Sequence, residues 1–187
     1  MRKTLTTAAL AATLTLAACG NEDDAGTAAE HNDADVTFAQ QMVPHHEQAV
    51  EMAEVAAARA ESQEVKDLAA DIEAAQGPEI DTMTGWLESW GEDVPDEGMS
   101  GMDHSDMSSD DMAGMMTEDE LADLEAASGA EFDQMFLTMM IEHHEGAIEM
   151  AKTELSEGEF PESVKLAEEI EATQTEEIQM MQDLLKS

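Results

Sequence analysis

Residues 38–53 and 136–151 are two copies of one segment, set a constant 98 positions apart. Identities fall at Phe38/Phe136, Met42/Met140, His45/His143, His46/His144, Glu47/Glu145, Ala49/Ala147, Glu51/Glu149, Met52/Met150 and Ala53/Ala151. The same offset aligns residues 68–76 with 166–174, Glu79-Ile80 with Glu177-Ile178, and Met83 with Met181. One offset held over both segments means that one supersecondary unit is used twice. Within each copy the shared residues recur at three- and four-residue steps, the period of a helix face. Phe38, Met42, the His pair, Ala49, Met52 and Ala53 therefore share one stripe. Leu68, Ile72, Gln76, Ile80, Met83 and Leu87 form a second. A helical hairpin with one apolar stripe on each helix cannot bury both alone. Two hairpins packed together can, and this predicts an all-α four-helix bundle built from two repeated hairpins. Composition agrees: aromatics are 3%, Tyr is absent and Pro numbers 4, which disfavours a sandwich or barrel.

The expected helices are near 36–60, with Asp35 as cap, and from Ser62 or Gln63 to about Trp90, with Gly91 as terminator. Pro44 should kink the first and Gly77-Pro78 should bend the second. Thr117 to Glu120 forms a capping box that opens one extra short helix to about Ala127, ended by Gly129. Helices near 130–156 and from Pro161 or Glu162 to Leu185 complete the second repeat. The bundle then spans 35–187, as repeat one (35–91), a Met-rich loop (92–116) and repeat two (117–187).

The start of the chain reads as an address. Met1, Arg2 and Lys3 precede a short small-residue and aliphatic stretch, and Leu16-Ala17-Ala18-Cys19 resembles a bacterial lipoprotein signal. Residues 1–18 would be removed and Cys19 lipidated, which places the protein outside the cytoplasm, anchored to the cell membrane. Residues 19–34 read as an acidic flexible tether, with His31 solvated in it. Cys19 is the only cysteine in the chain. A soft-metal site must therefore be built from Met and His. The formal net charge of −38 repels nucleic acid and attracts cations.

The His pairs are the candidate site. Met42, His45, His46 and Met52 lie along one helix face, and Met139, Met140, His143, His144 and Met150 repeat the arrangement. Imidazole nitrogen with thioether sulfur suits Cu(I) best and holds Cu(II) through the imidazoles. A lone Met is usually core filler and a lone inward His usually a hydrogen-bonded core residue. Paired His flanked by Met, twice at matching positions, favours ligands. Adjacent residues on a helix point about 100° apart, so one His of each pair is expected to face the bundle and the other an edge. Glu47, Glu51, Glu145 and Glu149 are candidates to orient the imidazoles, as are Gln76 and Gln174 on the inner stripes. Met99, Met102, His104, Met107, Met112, Met115 and Met116 sit in a Gly-, Ser- and Asp-rich loop where a packed core is not expected. They read as a metal-capture or delivery segment.

The doubled Met-x-x-His-His-Glu-x-Ala motif at 42–49 and 140–147, with Gln-x-x-Glu-Ile-x-x-Met at 76–83 and 174–181, resembles domain-of-unknown-function family 305, the family of CopM-type copper-binding proteins. The resemblance covers about Asp35 to Leu185. It implies a ferritin-like helical bundle and extracytoplasmic copper binding and tolerance. The expected partners are copper ions, the membrane through Cys19, and a copper-transport or copper-oxidase protein. The competing function is a ferritin-like metallo-oxidoreductase such as a cuprous oxidase. A di-iron site is disfavoured because no His has Glu three residues before it. No catalytic residue is assigned.

Overall fold

The computed structural model describes residues 30–95 and 112–187. The expected leader, Cys19, and the loop residues Met99, Met102, His104 and Met107 lie outside them. Among the described residues there are five helices in order: α1 (Asp33–Arg59), α2 (Gln63–Trp90), α3 (Glu118–Ala126), α4 (Gly129–Glu157) and α5 (Pro161–Leu184). α1 and α4 pack against each other at the centre, with α2 lying on α1 and α5 on α4, while α2 and α5 scarcely meet. This is the predicted bundle of two hairpins with one extra short helix. No described helix is long and apolar enough to cross a membrane.

Two apolar ends enclose a polar middle. At one end Met52, Ala53, Leu68 and Ile72 pack with Leu124, Phe132, Phe136 and Met140. At the other, Phe38, Met42, Met83 and Leu87 pack with Ala147, Ala151, Leu166 and Ile170. The first half of α1 thus meets the second half of α4, so the two central helices run antiparallel. The four His of the repeated motif and Gln76 and Gln174 fall between the two clusters, and all six are buried.

Local chemistry corrects several boundaries. α1 is capped by Asn32, not Asp35, and starts inside the expected tether. The Asn32 side chain accepts from the Ala34 and Asp35 amides, while Asp35 accepts from the Asn32 amide at 2.7 Å, a capping box. His31 is not a free linker residue: its ring stacks on Trp90, centroids 4.4 Å apart. Gly129 does not end α3 but opens α4, with φ of +65°. α1 continues through Pro44, and α2 through Gly77 and Pro78, without a break. The Thr117 capping box and the Gly91 terminator, at φ 77°, are as expected.

Asp35 has a larger role than helix entry. It is fully buried, and it accepts from the Glu159 and Phe160 amides in the turn between α4 and α5. Its repeat counterpart, Asp133, accepts from the Glu61 and Ser62 amides at 2.9 and 2.8 Å, in the turn between α1 and α2. Each hairpin therefore holds the other's turn with a carboxylate near the start of its own first helix. These charge-assisted bonds satisfy turn amides that no helix can.

Candidate metal centre

Both His of each pair point inward, contrary to the expectation of one inward and one at an edge. The reason is that a central helix has two covered sides. A residue about 100° around α1 from His45 meets α2, whereas His45 itself meets α4. His45 and His143 lie ring to ring across the α1–α4 interface, centroids 3.7 Å apart. His46 Nε2 donates to Glu79 on α2, and His144 Nε2 donates to Glu177 on α5, each at 2.7 Å. These four imidazoles have no solvent exposure.

Glu79 and Glu177 thus hold imidazoles from the second helix of each hairpin. Glu51, Glu145 and Glu149 are exposed. The signal for Glu79 and Glu177 was their place at the shared offset, next to Gln76 and Gln174 on the helix that completes each hairpin.

Hydrogen bonding decides which ring nitrogens are available. A carboxylate is an acceptor only, so His46 and His144 each donate from Nε2. His45 Nε2 faces the Ala113 carbonyl oxygen at 3.3 Å, which likewise only accepts. The nitrogens left without a protein partner are Nδ1 of all four rings and Nε2 of His143. Burial, then the neighbouring His46, pushes the His45 pKa down to about 3. Burial, then His45, holds His143 well below the ordinary histidine range. Both rings are therefore neutral at physiological pH, with lone pairs to offer.

Buried polar atoms without partners are costly, at about 1–3 kcal/mol each, and here they cluster. Both amide atoms of Gln76 and Oε1 of Gln174 join the imidazole nitrogens in lacking a protein partner. A cation that takes imidazole ligands would satisfy several of these at once, so the donor set fits a bound ion. Among the described residues, no group of three or more His, Cys, Asp or Glu is arranged to hold a metal, so neither an oxygen cage nor a ready-made set of three imidazoles is present there.

The candidate Met residues divide. Met42, Met52 and Met140 are fully buried, in the apolar clusters on either side of the His layer. Met139 is buried, and Met150 is partly buried against the second cluster. Of the loop residues, Met112 and Met115 are half-buried. Met116 is buried in the first cluster. The expectation that this segment packs nowhere is corrected at Met116. The Gln48 side-chain amide pins that residue, donating to its carbonyl oxygen at 2.9 Å and accepting from its N–H at 2.8 Å. Beside it a groove of about 330 Å³ is lined by Met115, Glu120, Glu142, Glu145 and Glu149, among others.

Comparison with known proteins agrees with this architecture. The family model "Domain of unknown function (DUF305)" matches residues 35–185. A DUF305 protein of Streptomyces coelicolor, described as secreted, is 32% identical with a TM-score of 0.72, the match covering 82% of this chain and 92% of that one. CopM in its Cu(II)-bound form is 37% identical with a TM-score of 0.67, over 81% and 95% of the two chains. In its Cu(I)-bound form it is 33% identical with a TM-score of 0.65, over the same shares. No curated protein matches. With its repeated His-His motif on the two central helices and the family model spanning both repeats, the chain belongs to the DUF305 family.

Proposed function

We propose that the protein is an extracytoplasmic copper-binding lipoprotein that sequesters or delivers Cu(I) or Cu(II) through the His45-His46 and His143-His144 pairs and nearby Met thioethers. The single observation that carries this reading is the cluster of buried imidazole nitrogens without partners at the α1–α4 interface. The neutral His45 and His143 rings offer lone pairs at little reorganisation cost, and Glu79 and Glu177 orient the neighbouring imidazoles, as carboxylates that raise ligand basicity do. Met42, Met52 and Met140 supply soft sulfur from the same helices, which favours Cu(I) over Zn(II). Copper-bound CopM structures of similar fold support the choice of ion.

The lipid anchor at Cys19 would keep the bundle at the cell surface. Met99, Met102, His104, Met107, Met112 and Met115 would act as a weaker capture segment, because ordering a loop around an ion costs conformational entropy. The test is titration with Cu(I) against a chromophoric chelator. The wild type should compete, and the His45→Ala, His143→Ala double variant should lose the tightest site. Equal affinity in both would refute the assignment. Oxygen consumption on Cu(I) addition separates simple binding from cuprous oxidase activity.

A further inference from the structure

The described end of the Met-rich loop, Met112 to Met116, lies across the His layer as a strap. Three contacts seat it. Ala113 presents its carbonyl to His45 Nε2 at 3.3 Å. Gln48 on α1 clasps Met116 through both of its amide atoms. On α4, Gly146 leaves the room in which the strap lies: a Cβ there would collide with the Ala113 carbonyl. A Cβ on Gly114, at φ of +80°, would in turn stand 2.6 Å from the Glu142 carbonyl oxygen. Gln48 and Gly146 occupy the same position in the two repeats, one residue before Ala49 and Ala147. One grips the strap with a side chain and the other admits it by having none. The bundle's approximate two-fold is broken there, and His45 gains the strap's Ala113 carbonyl as an acceptor.

Resting on the copper reading above, we propose that Gln48 is a positioning residue for copper uptake and release: by clasping Met116 it holds the strap closed over the His45–His143 pair and sets how fast the ion passes, not how tightly it is held. The location argues for passage. On its outer side the strap borders the groove lined by Met115, Glu120, Glu142, Glu145 and Glu149, a thioether among four carboxylates. A cation drawn there by charge has the strap between it and the buried imidazoles. In this proposal the clasp re-forms over the bound ion, so loosening it lowers the barrier without changing the difference between the end states. This also assigns Ala113 a role. Its carbonyl keeps the His45 proton on Nε2 and so leaves Nδ1 as the donor toward the interior.

The test uses Gln48→Ala, with Gln48→Leu as a volume-keeping second variant should the first not fold. Three quantities are measured: the Cu(I) dissociation constant, the stopped-flow rate of Cu(I) transfer to excess chelator, and deuterium exchange at the Met116 amide. Two neutral hydrogen bonds lost from the closed state predict transfer faster by about tenfold. The dissociation constant should stay within about threefold, with faster exchange at Met116. A transfer rate equal to wild type despite an unprotected Met116 amide overturns the inference and leaves copper binding standing. A dissociation constant weakened tenfold likewise overturns it, since Gln48 would then act on affinity. A wild type that binds no better than the His45→Ala, His143→Ala variant removes the copper reading and this inference with it.

Discussion

Replacing the two turn-holding aspartates tests the packing argument quantitatively, because the repeat places them equivalently and their surroundings differ. Asp133 accepts two turn amides at 2.9 and 2.8 Å in a partly exposed setting. Hydrogen bonds to charged groups contribute about 1.5–3 kcal/mol each, and freed exposed amides recover water. Asp133→Ala should therefore cost about 2 kcal/mol. Asp35 is fully buried and accepts from the Asn32, Glu159 and Phe160 amides. Three amides would be stranded, and Asp35→Ala should cost about 4 kcal/mol on the same scale.

Asp35 also has a buried neighbour that Asp133 lacks. Glu154 is 1% exposed and lies beside Asp35 and the Ser163 hydroxyl. The repeat counterparts of Glu154 and Ser163 are the apolar Ala56 and Val65. Burial, with the nearby Asp35 charge adding to it, raises the Glu154 pKa to about 7. An acid whose folded pKa lies above its unfolded value holds its proton longer in the folded state. Its stabilisation is complete below about pH 4.5 and is lost as pH rises through 7, with a slope of about 1.4 kcal/mol per unit in between. Because burial is the larger cause and Asp35 the smaller, Asp35→Ala should narrow the pH window of that contribution without abolishing it, and Asp133→Ala should leave it unchanged. Urea unfolding of both variants at pH 5 and pH 7, with m-values compared, reads both effects. If Asp133→Ala costs as much as Asp35→Ala, or if Asp133→Ala alters the pH dependence as much as Asp35→Ala does, the reasoning is refuted.

Further expectations concern the site. Glu79→Gln and Glu177→Gln should each weaken copper binding by about 10–100-fold while keeping the helical fold, read by chelator competition and circular dichroism. Because His45 titrates in the folded state only near pH 3, the unfolded chain takes up that proton first as pH falls below 6.5. Apo-protein stability should thus decline by about 1.4 kcal/mol per unit from this ring alone on acidification. His45→Gln should remove that share of the acid sensitivity in a urea series from pH 6.5 to 4. Replacing Met99, Met102, His104 and Met107 together should lower the number of weakly bound copper ions and leave the tightest site intact, measured by equilibrium dialysis.

The sequence made the helices and their inner faces legible because one periodicity was written twice. Phe38, Met42, Ala49, Met52 and Ala53 are all buried as their spacing required. What it hid were features that depend on which helix neighbours which. The inward turn of both His in each pair follows from α1 and α4 being central, and a helical wheel treats each helix as having one covered side. Glu79 and Glu177 lie 33 residues from the His that they hold, beyond the reach of any argument from sequence proximity. Asp35 resembled a cap because it stands at a helix start, and its bonds to Glu159 and Phe160 appear only once the hairpins are docked. Met116 looked like loop because its neighbours are Gly, Ser and Asp, yet its backbone is paired by a glutamine 68 residues earlier.

The most direct test of the account is a crystal structure of the copper-loaded protein, with anomalous scattering collected on both sides of the copper edge. The strongest peak is expected within bonding reach of imidazole nitrogens of the His45–His143 layer, on the interior side of rings still tied to Glu79 and Glu177. Copper found only on exposed carboxylates, with the four rings unchanged and unliganded, would contradict it.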